Sequence, residues 1–347
     1  MKPASTPAAL GYRMPAEWEP HAATWLAWPH ERRDWPGKFA NIPWVYGEVV
    51  RQLVPGERVR ILVGDAAIEG SARCVLGRAG VDLARVDFFR IPTDRSWTRD
   101  FCPLFVRRDD GDVALTNWRF NGWAKYANWK RDNAVPDRIA RRLDRRQWKL
   151  DMVLEGGSID VNGRGTLLTT EECLLSPDQA RNPGMSRSDV EGALHDQLGI
   201  RKVLWLGRGI AGDDTHGHVD DLARFVDART VVLATEDDPA DANHEALREN
   251  RERLERATDQ DGAPLRVVPL PMPSPLVFDG QRLPASYANF YIGNAAVLVP
   301  TFNDPRDRHA LATLAELFPS RPVVGIHAVD LVWGLGTLHC MTQQEPA

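Results

Sequence analysis

The chain predicts an α/β fold in a single domain spanning residues 1–347. Three observations carry that expectation. Short apolar runs alternate with stretches of helical period, the pattern of strands interleaved with helices. The same order of pieces recurs: an apolar strand, a polar loop, a strand or hairpin, then a helix. No composition shift or low-complexity linker divides the sequence, and the proline-rich patch at 269–275 is too short and too close to apolar strands to act as a linker between domains.

In chain order, strands are predicted at 59–63, 203–206, 231–234 and 297–299, each a short run dominated by Val and Leu. Helices are predicted at 44–53, 136–147, 187–198, 240–257 and 306–317. Ser188 and Glu191 have the spacing of a capping box opening the third of these. The fourth, rich in Glu and Arg, reads as a solvated amphipathic helix without functional weight. Polar loops fall at 97–100, 155–158, 215–221, 286–291 and 339–340. Long imperfect periods mark repeated supersecondary units around an axis. Loops at one end of such a scaffold converge, and polar chemistry sits there.

Composition narrows the function. The chain has 347 residues and 43% hydrophobic content, enough for a full core. Lys and Arg number 43 against 48 Asp and Glu, a net charge of −5, which leaves no electrostatic footprint for nucleic acid or an anionic membrane. Four cysteines, Cys74, Cys102, Cys173 and Cys340, form no CxxC pair, so a disulfide framework or thiolate zinc site is not expected and a reducing compartment is. No signal-peptide pattern or membrane-spanning run is present. The expectation is a soluble cytoplasmic protein with a small cationic partner.

The densest polar cluster runs from Asp213 to Asp221 and holds two His and four Asp in nine residues. Three readings compete. A solvated acidic turn is the plain one, disfavoured by Gly217 and the flanking apolar runs. A metal-dependent hydrolase would use His216, His218 and Asp220, but Asp221 stands where a metallo-β-lactamase-type loop needs another His, and too few other ligands are in sight. The third reading is nucleophilic. His218 and Asp220 alternate on an extended segment and share a face, one as general base and the other gripping a cation. The nucleophile is then Cys340, which follows Gly334-Leu335-Gly336 and His339; a lone cysteine is ordinarily a small buried hydrophobe, but this setting is polar.

Two carboxylates complete the set. Asp100 ends Trp97-Thr98-Arg99-Asp100, and Glu155 precedes Gly156-Gly157, whose glycines permit close backbone approach. Carboxylates grip a planar guanidinium through paired charge-assisted hydrogen bonds. Of twelve tryptophans, Trp97 and Trp123 lie in polar segments suited to lining a pocket, where an aromatic face beside a cation contributes about 0.5–2 kcal/mol. Asp214 in the acidic loop joins them as a substrate-binding candidate.

Taken together, the motifs resemble one family. Met14-Pro15-Ala16-Glu17-Trp18-Glu19-Pro20-His21 with Trp25-Leu26-Ala27-Trp28-Pro29 is similar to the opening of agmatine deiminases and bacterial-type peptidylarginine deiminases, of the guanidino-group-modifying superfamily. The resemblance continues, in order, through Trp97-Thr98-Arg99-Asp100, Asn121-Gly122-Trp123, Leu154-Glu155-Gly156-Gly157, Gly217-His218-Val219-Asp220, Ser286-Tyr287-Ala288-Asn289-Phe290-Tyr291 and His339-Cys340. It implies a pentein α/β-propeller of five pseudosymmetric units with no metal or organic cofactor, and leaves a homodimer open. It also implies that Asp100 and Asp220 bind the guanidinium, His218 is the acid/base, Glu155 orients it and Cys340 is the nucleophile. The reaction expected is release of ammonia from agmatine to give N-carbamoylputrescine. Asp221 departs from the Asn usual in close agmatine deiminases, and Cys102 from a frequent Gly. Free arginine or peptidyl-arginine therefore stays open as substrate, and a non-catalytic guanidine-binding module is the alternative of another class.

Overall fold

Five sheets share one hydrogen-bonding pattern in this computed structural model, which describes residues 5–347. In each, a first strand lies antiparallel to a second, and the second lies parallel to a third reached through a helix. Parallel neighbours need such a crossover, whereas antiparallel ones do not. Leu104–Arg107, Val113–Arg119 and Gln147–Val153 follow this order, with Val135–Leu143 as the crossover helix. Asp160–Val161, Thr166–Thr170 and Lys202–Leu206 repeat it around Arg187–Leu198. Ala223–Phe225, Thr230–Thr235 and Arg266–Pro271 do so around His244–Glu255. Tyr291–Ile292, Val297–Thr301 and Val323–His327 do so around Asp307–Leu317.

The remaining sheet joins the two ends of the chain. Gln343–Pro346 supplies its first strand, antiparallel to His21–Ala27, which runs parallel to Arg58–Val63 after helix Ile42–Leu53. Val86–Arg90 adds a fourth strand after Ala66–Arg78, the helix that carries Cys74. A separate hairpin pairs Val277–Phe278 with Gln281–Arg282; its turn residues Asp279 and Gly280 both have positive φ (50° and 75°), as a type I′ hairpin turn requires.

Each polar loop read from the sequence stands just ahead of, or runs into, the first strand of one sheet. Repetition of the unit therefore carries five polar segments to equivalent ends of the five sheets. Beneath them the second strands are buried: Thr166–Thr170 is buried at every position, and Thr230–Thr235 and Val297–Thr301 at all but the last. Such two-sided burial accounts for the continuous apolar runs seen in the sequence. Among the described residues, no helix is long and apolar enough to cross a membrane.

Two helix boundaries and one capping box differ from expectation. The helix predicted at 136–147 stops at Leu143, because Asp144 turns left-handed (φ 51°) and Gln147 already pairs in the sheet. The helix predicted from 240 begins at His244, since the Asp238 and Asp241 side chains accept from Ala240 N–H and Asn243 N–H and hold turns there. The helix at 187–198 is found as Arg187–Leu198, but its capping box is Ser186 with Asp189. Ser188 already lies inside the first turn, and Glu191 instead accepts from the Trp205 indole at 2.7 Å. Ser186→Ala should lower the unfolding free energy in urea by about 1 kcal/mol. Ser188→Ala should stay within about 0.5 kcal/mol of the parent.

Candidate active site

Cys340 opens onto a cavity of about 440 Å³ walled in part by Trp97, Asp100, Trp123 and Asp214. The structure therefore gathers residues from across the sequence around one thiol. Backbone contacts fix the approach. Arg99 N–H donates to the Cys340 carbonyl at 3.1 Å, and the Thr98 hydroxyl donates to the Met341 carbonyl at 2.8 Å. The single-turn helix Thr98–Phe101 is thus zipped to the nucleophile's segment, and Asp100 is carried with it.

Gly156 and Gly157 let the Glu155 loop slide between Asp100 and His218. A Cβ on Gly156 would meet the Arg99 carbonyl at 2.3 Å, and one on Gly157 would meet His218 Nδ1 at 2.6 Å. Gly157 N–H donates to Asp100 Oδ1 at 3.1 Å, while the Trp123 indole donates to Oδ2 at 2.9 Å, so Asp100 is held from two sides. His218 Nδ1 lies 3.8 Å from Asp100 Oδ1 and 4.0 Å from Asp220 Oδ1, and its Nε2 lies 3.9 Å from Glu155 Oε2. Both imidazole nitrogens, Glu155 Oε2 and Asp220 Oδ1 are buried without hydrogen-bond partners among the described residues. Of these groups the Asp220 carboxylate approaches the Cys340 thiol, and unspent buried polar atoms of this kind are valences that a ligand or a water can use.

The Porphyromonas-type peptidyl-arginine deiminase family model matches residues 13–346. The chain belongs to that family. It is 37% identical over 369 aligned positions to an agmatine deiminase of Pseudomonas aeruginosa (strain LESB58), covering 99% of this chain and 98% of the relative. Among solved structures, it is similar to an agmatine deiminase of Enterococcus faecalis (33% identity, TM-score 0.92, covering 99% and 98% of the two chains). It is also similar to a Cys-to-Ser variant of C. jejuni agmatine deiminase with substrate bound (29% identity, TM-score 0.87, 97% and 96% covered).

The deiminase-family residues read from the sequence are all brought to this end of the molecule, with two corrections. His218 and Asp220 do not sit on a strand. His218 caps the short 3₁₀ turn Val219–Asp221, and Asp213 builds that turn by accepting from Gly217 N–H (2.8 Å) and His218 N–H (3.0 Å). His216 turns away: its Nε2 lies 3.4 Å from Ser176 Oγ, on a separate surface depression. The trio His216, His218 and Asp220 therefore does not converge. The groups whose ligand atoms do lie within 4.8 Å of one another, among the described residues, are Glu155–Cys173–His218 and Asp220–Asp221–Cys340.

Asp214 stands at the rim, ion-paired with Lys125 and accepting from the Tyr126 hydroxyl at 2.6 Å. Beside it, the Arg95 guanidinium lies 4.0 Å from the Tyr126 ring centre and donates to Asp34 Oδ1 at 2.7 Å. Asn289 is a site residue that the sequence offered only within a motif. Its amide nitrogen sits 2.9 Å from Asp221 Oδ1 and 3.1 Å from Cys340 Sγ, and its carbonyl accepts from Thr337 Oγ1 at 2.7 Å. Arg181, with no sequence signal, donates to Glu155 Oε1 at 2.9 Å.

Burial and the dense charge set the protonation states. Burial would favour neutral imidazole, yet the charge of Asp100, with Cys173 and Glu155, raises His218 well above its ordinary value. Burial pushes Asp100 up to about 6, helped by Asp220 and Glu155 and opposed by His218. Glu155 stays ionised, lowered to about 2, because Arg181 and His218 outweigh its burial. Burial and the charges of Asp220 and Asp213 raise Asp221 well above the carboxylate range. Burial, then Asp220, Asp221 and Asp100, raise Cys340 well above the usual thiol value. In the free protein the carboxylates around the sulfur therefore favour the neutral thiol. Alkylation of Cys340 by iodoacetamide, followed by peptide mass mapping with exposed Cys74 as the access control, should be slow at neutral pH and accelerate only as the solution is made strongly alkaline. Asp220→Asn removes an anion beside the sulfur, so the rise should move to lower pH.

Proposed function

We propose that the chain hydrolyses the guanidino group of agmatine, releasing ammonia and N-carbamoylputrescine through a covalent intermediate on Cys340, within one catalytic domain over residues 1–347. The five repeated sheets are read as the units of a closed α/β-propeller, with the loops ahead of their first strands forming the site. The observation that carries the chemistry is the buried thiol set against Asp100 and Asp220 with the His218 imidazole beside the two carboxylates. The full-length likeness to agmatine deiminases supports the substrate.

The steps follow from charge. A guanidinium enters between Asp100 and Asp220 and supplies the positive charge that the free site lacks. Its arrival lowers the cost of ionising Cys340, whose proton leaves to solvent, so the substrate itself activates the nucleophile. The thiolate forms a C–S bond to the guanidinium carbon. His218, already protonated, gives its proton to one nitrogen as the C–N bond breaks, and ammonia departs. Water then attacks the thiouronium carbon, neutral His218 takes its proton, and the C–S bond breaks to return the thiolate and a ureido product. Splitting attack on a poor electrophile into two displacements lowers each barrier. Glu155, held by Arg181, orients His218 and stabilises its charge. Trp97 and Trp123 flank the cation, and Asp214 meets the far end of the substrate.

A second reading has an observation in its favour. The rim carries the Arg95 guanidinium beside Asp34, and an α-carboxylate on the substrate would be received there. Free arginine, or peptidyl-arginine at the carboxyl end of a peptide, would then be the substrate of the same chemistry.

Cys340→Ala should lower kcat by about four to six decades, read as ammonia and ureido product from agmatine, arginine and an arginyl peptide. A variant keeping a tenth of the parent rate would exclude the thiolate mechanism, and arginine or the peptide outpacing agmatine would select the second reading. The pH dependence is also fixed in sign. Asp100, raised to about 6, must be ionised to grip the cation, so kcat/KM should fall as pH drops below 6. In Asp100→Asn that acid limb should disappear, with kcat/KM about one to two decades lower on the plateau.

A further inference from the structure

Glu17 and His339 occupy motifs of the sequence, yet the steps above assign neither a role. Both are buried, at 4% and 1% exposure. His339 Nδ1 lies 2.6 Å from Asp220 Oδ2, and its Nε2 lies 2.8 Å from Glu17 Oε2. Each ring nitrogen thus faces a carboxylate oxygen. Two ionised carboxylates can only accept, so an imidazole that satisfies both must donate from both nitrogens and carry a positive charge. Each carboxylate has reason to stay ionised. Burial opposes the charge on Glu17, but Arg224, His339 and Arg99 overcome it and hold its carboxyl well below the ordinary range. Burial opposes Asp220 too, and the hydrogen bond and charge of His339, joined by the charges of His218 and Arg224, together lower its carboxyl.

The contacts around this pair tie together the segments that carry the chemistry. Glu17 Oε2 accepts from Arg99 Nη2 at 3.0 Å, and Arg99 neighbours Asp100. Glu17 Oε1 accepts from Arg224 Nη2 at 2.8 Å, on the strand that follows Asp220, and from Ile292 N–H at 2.9 Å, on the strand that follows Asn289. Arg224 Nε donates in turn to Asp160 Oδ1 at 3.0 Å, and Arg99 Nε to the His339 carbonyl at 3.3 Å. Held this way, Asp220 has Oδ2 committed to His339, with the Cys340 thiol at 3.7 Å from the same oxygen, while Oδ1 is left without a partner among the described residues.

We propose that His339, kept as an imidazolium by Glu17, is a positioning residue for the deiminase reaction: it fixes Asp220 with Oδ1 free for the guanidinium and offsets negative charge beside the Cys340 thiolate. The inference rests on the reading of Asp220 as a guanidinium-binding carboxylate. The groups facing His339 are Asp220, Glu17, Cys340, Arg99, Arg224 and Asp160, three of them potential anions and two permanent cations besides the thiol. A neutral His339 would leave the cluster with an uncompensated buried negative charge.

The test combines a protonation map with a graded series of variants. Neutron diffraction from deuterated crystals of the parent protein near neutral pH should show deuterium on both Nδ1 and Nε2 of His339; deuterium on one nitrogen alone overturns the proposal. That result depends on neither substrate nor variant, so it stands apart from any failure of the agmatine reading. In His339→Asn the amide nitrogen replaces Nδ1 and can still donate to Asp220, whereas in His339→Gln it replaces Nε2 and serves Glu17 alone. With agmatine, Asn should keep kcat/KM within about tenfold of the parent and Gln should lose about a hundredfold or more, through a misplaced carboxylate. The loss in Gln should fall on KM as well as kcat, while thermal unfolding of the two variants stays alike. A Gln variant as active as the Asn variant, or both at parental activity, overturns the positioning role.

Discussion

Burying several carboxylates within a few ångströms of one another is the constraint on which the rest of this structure depends. Glu17, Asp100, Glu155, Asp220 and Asp221 are all at most 4% exposed. Taken alone, each would be pushed towards its neutral form by burial and by its neighbours. The protein answers with buried cations placed one against another: Arg181 on Glu155, and Arg99 and Arg224 on Glu17. Fully buried pairs of this kind contribute little net stability, because desolvation consumes most of the Coulomb gain, but removing one partner strands the other. Their value here is geometric, since each arginine also clamps backbone or a side chain of a second segment.

The compensation is incomplete around the sulfur. Asp100, Asp220 and Asp221 crowd the Cys340 sulfur and, with burial, raise its pKa, although His339, His218 and Arg224 all act on Asp220. In the proposed reaction the guanidinium brings the charge that ionises the thiol, so recognition and activation would be one electrostatic event, and a neutral analogue would fill the cavity without it. The rim works differently. Asp34 and Asp214 are already matched by Arg95 and Lys125, so a substrate's tail must compete with ion pairs in place.

Repetition explains how one chain brings these groups together. A strand–strand–helix–strand unit recurs in each sheet, and each polar segment precedes the first strand of one unit. The first strand of the opening sheet comes from Gln343–Pro346, so the cysteine near the far end of the chain is delivered beside residues that follow the amino-terminal motif. Separation in sequence is thereby cancelled: Glu17 and His339, 322 positions apart, share a hydrogen bond.

What the sequence determined by itself is the periodic and local portion. Apolar runs placed the strands at 59–63, 203–206, 231–234 and 297–299 and the 187–198 and 306–317 helices to within a residue or two, and a cysteine and carboxylates in polar, glycine-bearing segments pointed to the thiol and its acidic companions. These signals are local because strand burial and glycine-dependent turns are written in neighbouring residues. Tertiary structure alone decided the rest. It turned His216 outward and His218 inward from one nine-residue loop, since that choice follows from Asp213 accepting two backbone N–H groups. It gave Arg181 to Glu155, Asn289 to Cys340 and Glu17 to His339, pairings between segments that no spacing in the chain connects. It also set the protonation states, because burial and the sum of neighbouring charges belong to the folded site and to no residue taken alone.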